Sequence, residues 1–530
     1  MIRIRQIKIL VDDYSYDKLV DRCVNILKIS KNLIDGVNIY RRSIDARKKP
    51  LIYYSFIVDI NVKNEKDILK RNKNKDILYV DSEELKYNFI PKGDKVLANR
   101  PIIVGCGPCG LMAGYMLASY GYKPIIIERG SDVDTRSIDV EEFWNNNKLN
   151  INSNVLFGEG GAGTFSDGKL NTLVKDKDNY QRKVFKIFVE NGAPLEILYE
   201  SMPHIGTDLL KNMVKNIRNK IISMGGEVRF NTMLTDINIK DNKLVSIVVN
   251  NKDIINCDVL VLAIGHSARD TFRMLYDKKI NMQSKPFAVG VRIQHPQDMI
   301  NISQYGRDDS KLKNASYKLT YKASNGRGVY TFCMCPGGYV VNASSSENKL
   351  CINGMSNYNR DSGNANSAVI VTVNNNDYGN EVLDGVKFQE KLESNAYKIG
   401  NGNIPISLYK DYKNNTISSK FGNVVPVFKG NYKFADINEI FTYDINKSLK
   451  EGIDYFATKI KDFDRDDAIV AGVEARTSSP IRIIRDDNLE SSIKGIYPAG
   501  EGAGYAGGIT TSCIDGIIVF EKISNIYKSF

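Results

Sequence analysis

Histidine is nearly absent from this chain. His204, His266 and His295 are the three among 530 residues, too few and too far apart to build a histidine-based metal site. No metal is expected. The eight cysteines are scattered through a long chain, without the dense spacing by which small secreted domains staple themselves. Long apolar runs are missing as well. Stretches such as Val259–Ile264 and Ile125–Ile127 fall far short of the ~20 residues that span a membrane. The start, Met1-Ile-Arg-Ile-Arg-Gln, is basic, but no apolar segment with a small-residue cleavage site follows it. A secretory signal is therefore not expected, and the cytoplasm is the expected compartment.

What remains has the balance of a globular protein, 42% hydrophobic and 25% charged. The length asks for two or three domains. A formal net charge of +11 invites a nucleic-acid partner, but lysine is spread along the chain and alternates with acidic residues. The compact basic cluster is Arg41-Arg42-Ser-Ile-Asp-Ala-Arg47-Lys48-Lys49. It reads as a solvated surface, with an acidic partner or phosphorylated ligand as the alternative.

Residues 1–95 predict a small α/β domain, with a strand over Ile2–Val11, a helix over Tyr16–Leu27 and a β-prone run over Leu51–Ile60. Asn61–Lys75 reads as a solvated helix or loop. From Pro101 the pattern becomes βαβ, and residues 96–285 are expected to form the first part of a dinucleotide domain. Residues 286–468 mix short strands with Asn/Ser/Gly loops and are expected to form a separate cap. The patch Asn364–Asn380 is expected to be loop-like except for a strand over Ala368–Val373. Residues 469–530 return to glycine-rich strand–turn–helix chemistry and are expected to rejoin the dinucleotide domain.

Gly105-Cys-Gly107-Pro-Cys-Gly110 matches G-x-G-x-x-G between a predicted strand, Ile102–Val104, and a predicted helix, Leu111–Tyr120. Gly105 permits the tight turn, Gly107 lets backbone approach a pyrophosphate, and Gly110 lets the helix pack on the strand. The helix amino terminus then faces the phosphates. A second strand ends at Glu128, about 20 residues on, where a carboxylate can accept from a ribose diol. Cys106-Gly-Pro-Cys109 also has the letters of a redox C-x-x-C, although the same residues must form the phosphate loop.

Four motifs together resemble the large bacterial FAD-dependent dehydrogenases (NAD(FAD)-utilising dehydrogenase-like) of the glutathione-reductase-like flavoprotein superfamily, over nearly the whole chain. They are Gly105–Gly110 with Glu128-Arg129-Gly130, the run Phe157-Gly-Glu-Gly-Gly-Ala-Gly-Thr-Phe-Ser-Asp-Gly-Lys169, the strand Val259–Gly265, and Tyr497-Pro-Ala-Gly500-Glu501 running on to Gly508-Ile509-Thr510. The resemblance implies an α/β fold: a Rossmann-type FAD-binding domain, a discontinuous mixed α+β substrate or cap domain, and a small N-terminal α/β domain. It implies non-covalent FAD. The nucleotide end falls on Gly105, Gly107, Pro108, Cys109, Gly110, Glu128, Arg129 and Arg136. Gly160, Gly161 and Ser166 would pass near the flavin ring. Met233 and Leu234 follow the sheet-edge strand Glu227–Asn231, which would touch adenine. Gly265, Gly500, Glu501, Gly508, Ile509 and Thr510 would close over the rest of the cofactor. Glu501 stands where many relatives have aspartate.

Flavins accept hydride or single electrons. With one complete fingerprint, NADH or NADPH is expected only as a transient donor. Arg476 and Arg482, in Ala471–Arg482, are candidates to pin a substrate anion or stabilise reduced flavin, with a salt-bridged strand edge as the alternative. Lys169 carries the same two readings. Cys333-Met-Cys335 predicts two thiols on one side of a strand, for electron relay, soft-metal binding or packing. Two functional classes follow. One is an FAD-dependent oxidoreductase acting on a small or hydrophobic substrate, the reaction itself left open by the motifs. The other is an FAD-containing binding or RNA-associated protein that uses the basic N-terminal domain. This second class predicts salt-sensitive nucleic-acid retention that is lost when Arg41, Arg42 and Arg47 are changed to Ala; retention indifferent to that change eliminates it.

Overall fold

The computed structural model describes every residue except 173, 177 and 310. None of the described helices is long and apolar enough to cross a membrane.

The N-terminal unit is a four-stranded antiparallel sheet in the order Ile34–Lys48, Leu51–Val62, Ile2–Leu10, Ile77–Tyr79. The helix Tyr16–Leu27 starts at Ser15, whose hydroxyl accepts from Lys18 N at 3.2 Å, and it buries Leu19, Val20, Cys23 and Leu27 against the sheet core. The expected helix Tyr16–Leu27 is found, and a short helix, Glu65–Arg71, occupies the polar stretch. Strand Ile34–Lys48 was not anticipated. Its charges hide the alternation, and it is a half-exposed edge strand whose register slips three times against its neighbour. Most of the basic cluster lies on it, and Arg42 and Arg47 are ion-paired. Arg42 binds Glu200, Arg47 binds Asp45 at 2.8 Å, and Lys8 adds a second cation to Asp45 at 2.6 Å.

The dinucleotide domain is a five-stranded parallel sheet in the order Ile496–Pro498, Leu260–Leu262, Ile102–Val104, Ile125–Ile127, Glu227–Arg229. The central strands are uninterrupted Ile, Val and Leu because both of their faces are covered. Helices Pro108–Ser119, Thr207–Ser223 and Ile509–Ser524 share one core cluster. The antiparallel strands Leu234–Lys240 and Lys243–Val249 contribute to the other.

The cap is built on a seven-stranded sheet, in the order Thr320–Lys322, Gly328–Cys335, Asn364–Val373, Phe287–Pro296, Ile469–Glu474, Ile404–Leu408, Tyr432–Phe434. Two differences from the sequence reading stand out. Ile469–Glu474 pairs with Phe287–Pro296 and Ile404–Leu408, so it belongs to the cap, and the chain rejoins the parallel sheet only at Ile496. A fully buried strand suits either sheet, and only its distant partners decide. The second difference is that the Asn364–Val373 strand begins in the Asn-rich patch. Its asparagines meet buried partners: Asn364 Nδ2 donates to Gln294 Oε1 at 3.1 Å, and Asn366 Oδ1 accepts from Arg292 at 2.8 Å.

A buried carboxylate helps lock the cap to the dinucleotide domain. Glu393, on the cap helix Asp384–Gly400, accepts from Arg269 at 2.7 and 2.8 Å and from Arg476 at 2.7 and 2.8 Å. Arg269 opens the dinucleotide-domain helix Arg269–Asp277. The two guanidiniums hold the Glu393 carboxyl well below the usual carboxylate range despite its burial. Neutralising it strands two buried cations, so Glu393→Gln should lose roughly 3–5 kcal/mol in urea unfolding. Glu390→Gln, whose hydrogen-bonded partners Arg273 and Lys349 are partly exposed and which lies only 3.9 Å from Arg269 at its edge, should lose under about 1 kcal/mol. Equal losses would contradict this account.

Candidate functional site

A cavity of about 570 Å3 lies between the carboxyl ends of the parallel strands and the cap sheet, where open α/β sheets place ligands. Its volume is within the roughly 300–1,000 Å3 of small-molecule sites.

The glycine loop forms one wall. At Gly105 (φ +101°) a Cβ would lie 2.3 Å from Ala263 O, so no other residue fits. Gly107 is the opposite case: its Cβ would meet only Gly161 Cα, at 3.8 Å, with the cavity in front. Gly107 caps the helix Pro108–Ser119 and Gly508 caps Ile509–Ser524, and neither helix has a side-chain cap. Gly507 and Gly508 line the same cavity, with nothing within 4 Å of an added Cβ. Two helix amino termini thus open on one space, their first N–H groups left for a ligand.

Glu128 is buried and ties three segments together. It accepts from Cys106 N at 2.8 Å, Gly130 N at 2.9 Å and Gly158 N at 3.0 Å, and it lines the cavity. Arg129 stacks over Phe157 at 4.4 Å and donates to Asp270 at 2.8 Å. Pro108, Cys109, Gly161, Ser166, Leu234, Gly265, Glu501 and Ile509 also line the cavity. The remaining expected cofactor residues stand behind this wall. Gly110 packs its helix on the loop, where a Cβ would sit 1.9 Å from Gly105 O. Gly160 N donates to Cys106 O, Met233 N to Asn250 Oδ1, and Gly500 N to Asp515 Oδ2. Thr510 Oγ1 donates to Leu170 O. Arg136 is fully buried and off the cavity. It donates to the carbonyls of Asn154, Val155 and Glu159, and burial pushes its guanidinium down to about 10. Its place is to shape the glycine-rich run from beneath.

The three candidate catalytic residues part company. Lys169 lines the cavity, with Nζ donating to Met334 O and lying 3.4 Å from Asp167. Arg476 touches the cavity, but its donors are taken by Glu393 and, at 2.7 Å, Ser345 Oγ. That is the salt-bridged strand edge of the two readings. Arg482 is off the cavity, 3.5 Å from Gly504 O and beside the Tyr505 ring.

Two ion pairs at the site were not anticipated. Asp167 is buried and accepts from Arg360 at 2.7 and 3.0 Å and from Ser356. Desolvation opposes its charge, yet Lys169 and Arg360 keep the carboxyl well below its usual value. Arg292, fully buried, holds the cavity-lining Glu474 at 2.7 Å and Asn353 at 3.0 Å, while burial pushes the Glu474 carboxyl up. His266 lines the cavity with Nδ1 3.3 Å from Glu501 Oε1 and Nε2 without a partner. Cys106 and Cys109 are buried in the core, and burial pushes both thiols well above the ordinary value. Cys333 and Cys335 both line the cavity. Among the described residues no cluster of His, Cys, Asp and Glu could hold a metal ion.

Residues 286–477 match the family described as FAD-dependent protein, C-terminal domain-like. Residues 1–61 match a domain of unknown function, DUF8436. An uncharacterized protein of Clostridium beijerinckii is 49% identical over 529 residues, covering 98% of each chain. Among solved structures, the glycine oxidase of Bacillus cereus is 12% identical with a TM-score of 0.35, over 80% of this chain and 95% of that one. The L-proline dehydrogenase of P. horikoshii is 12% identical with a TM-score of 0.33, over 82% and 94%.

The other two histidines lie in packed surroundings. His204 stacks on Tyr358, with ring centroids 5.4 Å apart, and burial pushes it down to about 3. His295 Nε2 donates to Phe463 O at 2.7 Å, and burial pushes it down to about 4. An unfolded chain protonates histidine near pH 6.5. The unfolded state therefore binds extra protons as pH falls from that value toward the folded ones, and stability drops across this window by up to roughly 1.4 kcal/mol per pH unit for each histidine. Urea unfolding between about pH 7 and pH 5 should show the loss, with a slope about half as steep in His295→Gln. A flat profile would rule it out.

Proposed function

Because the chain belongs to one family with the Clostridium beijerinckii protein and carries the C-terminal domain of FAD-dependent proteins, we propose that it is an oxidoreductase that holds FAD non-covalently between sheet and cap and acts on a small molecule. The observation that carries this reading is the pair of uncapped helix amino termini facing one cavity beside a buried glutamate. Glycines without a Cβ leave that backbone open to a flat or anionic ligand, so the residues present fit the cofactor.

Gly107 and the first turn of Pro108–Ser119 would hold the pyrophosphate, and Glu128 a ribose diol. Thr232 and Leu234 would border adenine. Glu501 and the amino terminus of Ile509–Ser524 would border the ribityl chain and pyrimidine. Bound FAD supplies hydride or single-electron transfer. Lys169, fixed by Asp167 and Met334 O, presents its Nζ at the cavity wall, where it can hold an anionic group of the substrate. His266 can hold or release a proton at Nε2 while Glu501 orients its ring. Tyr317, Phe332 and Met334 give the cap side of the cavity an apolar lining that excludes water, with Ser316 and Thr331 as polar contacts. The substrate is thus small and partly apolar. NADH or NADPH, with no second fingerprint to dock on, would enter the same cavity as a transient donor.

The purified protein should release FAD on denaturation. Anaerobic titration should then bleach the flavin with NADH, NADPH or neither, separating a nicotinamide-driven half-reaction from one driven by the protein's own substrate. Gly107→Val fills the cavity without backbone strain, because Gly107 has an ordinary φ of −82°. It should weaken FAD binding at least about tenfold, 1.4 kcal/mol, with little change in unfolding. A chain that cannot be loaded with FAD ends this reading.

A further inference from the structure

Cys333 is the one cysteine with an exposed side chain, and that surface belongs to the cavity wall. The backbone that presents it is unusual. Strand Gly328–Cys335 slips register against Asn364–Val373 between Phe332 and Cys335, and Cys333 has φ +41°. A side chain there is strained and persists only where the surroundings enforce it. They do so here with two cations on consecutive carbonyls. Arg292 Nη1 donates to Cys333 O at 3.3 Å, and Lys169 Nζ donates to Met334 O. Cys335 Sγ folds back to donate to Cys333 O at 3.2 Å, which brings the second thiol alongside the first residue. Both cysteines face the cavity that Glu128, Gly265 and Glu501 line from the opposite domain.

We propose that Cys333 and Cys335 are a redox-active dithiol that delivers electrons to the cofactor of this cavity, an inference that rests on the FAD reading above. Two S–H bonds break and one S–S bond forms. The two electrons and two protons released convert FAD to its two-electron-reduced form. The direction follows from the surroundings of the thiols. Burial raises the Cys335 thiol, against the pull of Lys169 and Arg292. A dithiol whose thiolates are not stabilised is the reducing kind, opposite to pairs whose low thiol pKa makes them oxidants. Turnover then asks for a small thiol substrate and for dioxygen, which takes the two electrons and two protons from the reduced flavin and leaves as hydrogen peroxide. Two such thiols re-form the dithiol by exchange, beginning at the accessible Cys333, and leave as their own disulfide.

The test is made on the air-oxidised holoenzyme. Anaerobic dithionite titration should take up four electrons per flavin in the wild type and two in Cys333→Ser or Cys335→Ser. Dithiothreitol should bleach the wild-type flavin but not that of either variant. Without any variant, alkylation before digestion should leave the tryptic peptide 328–349, which holds both cysteines, unlabelled and two hydrogens lighter, and doubly labelled after reduction. A wild-type protein that takes up two electrons per flavin, with both thiols labelled from the start, overturns the relay while leaving the FAD reading intact. A protein that binds no flavin overturns both.

Discussion

Everything at the cavity depends on how the cap is seated on the parallel sheet, and a central part of that seating is the carboxylate of Glu393 between Arg269 and Arg476. Three charges removed from water are expensive, and their mutual attraction offsets that cost only in a geometry where each donor has its acceptor. The interaction therefore tolerates one relative position of the two domains far better than any neighbouring one. Apolar packing alone would be less exacting, because it is not directional. The same ion pair occupies Arg476, whose guanidinium is bound to Glu393 and Ser345.

On the dinucleotide side the labour is divided between backbone and side chain. The surfaces nearest the cavity are largely main chain: the loop at Gly107, the turn at Gly265, the segment Gly507–Gly508. Side chains stand one step behind and fix where that main chain runs. Glu128 gathers three amides, Arg136 three carbonyls, and Asp515 pairs with Arg485 while accepting from Gly500 N. On the cap side the pattern reverses, with thiols, hydroxyls and aromatic rings presented directly. A common nucleotide and a particular substrate would each be met by the appropriate kind of surface.

What was legible in the sequence was local. The fingerprint, its two strands and its helix needed only short spacings, and the helix Tyr16–Leu27 needed only its periodicity. What stayed hidden was long-range. Asp167 meets Arg360 and Glu474 meets Arg292 through pairings close to two hundred residues apart in sequence, and no pattern near any of them marks the partner. The same reason moved Ile469–Glu474 from one sheet to the other, since a strand apolar on both faces does not say which neighbours it will have. Arg136 shows a different limit. It lies in the right neighbourhood for a cofactor contact, but whether a side chain points into a cavity or under its floor depends on a rotamer and on three carbonyls. Strand Ile34–Lys48 was obscured because an edge strand can carry charges at positions where a central one could not.

The two open helix ends have a thermodynamic side. A fold that leaves its amino-terminal N–H groups to a ligand has handed part of its own cohesion to that ligand, and binding energy and folding energy become one quantity. By mass action, a ligand present at 100 times its dissociation constant adds about 2.7 kcal/mol to stability, a large share of what a domain ordinarily has. For such a chain the supply of flavin would set not only how many molecules are active but how many survive, so cofactor scarcity would be felt first as loss of protein.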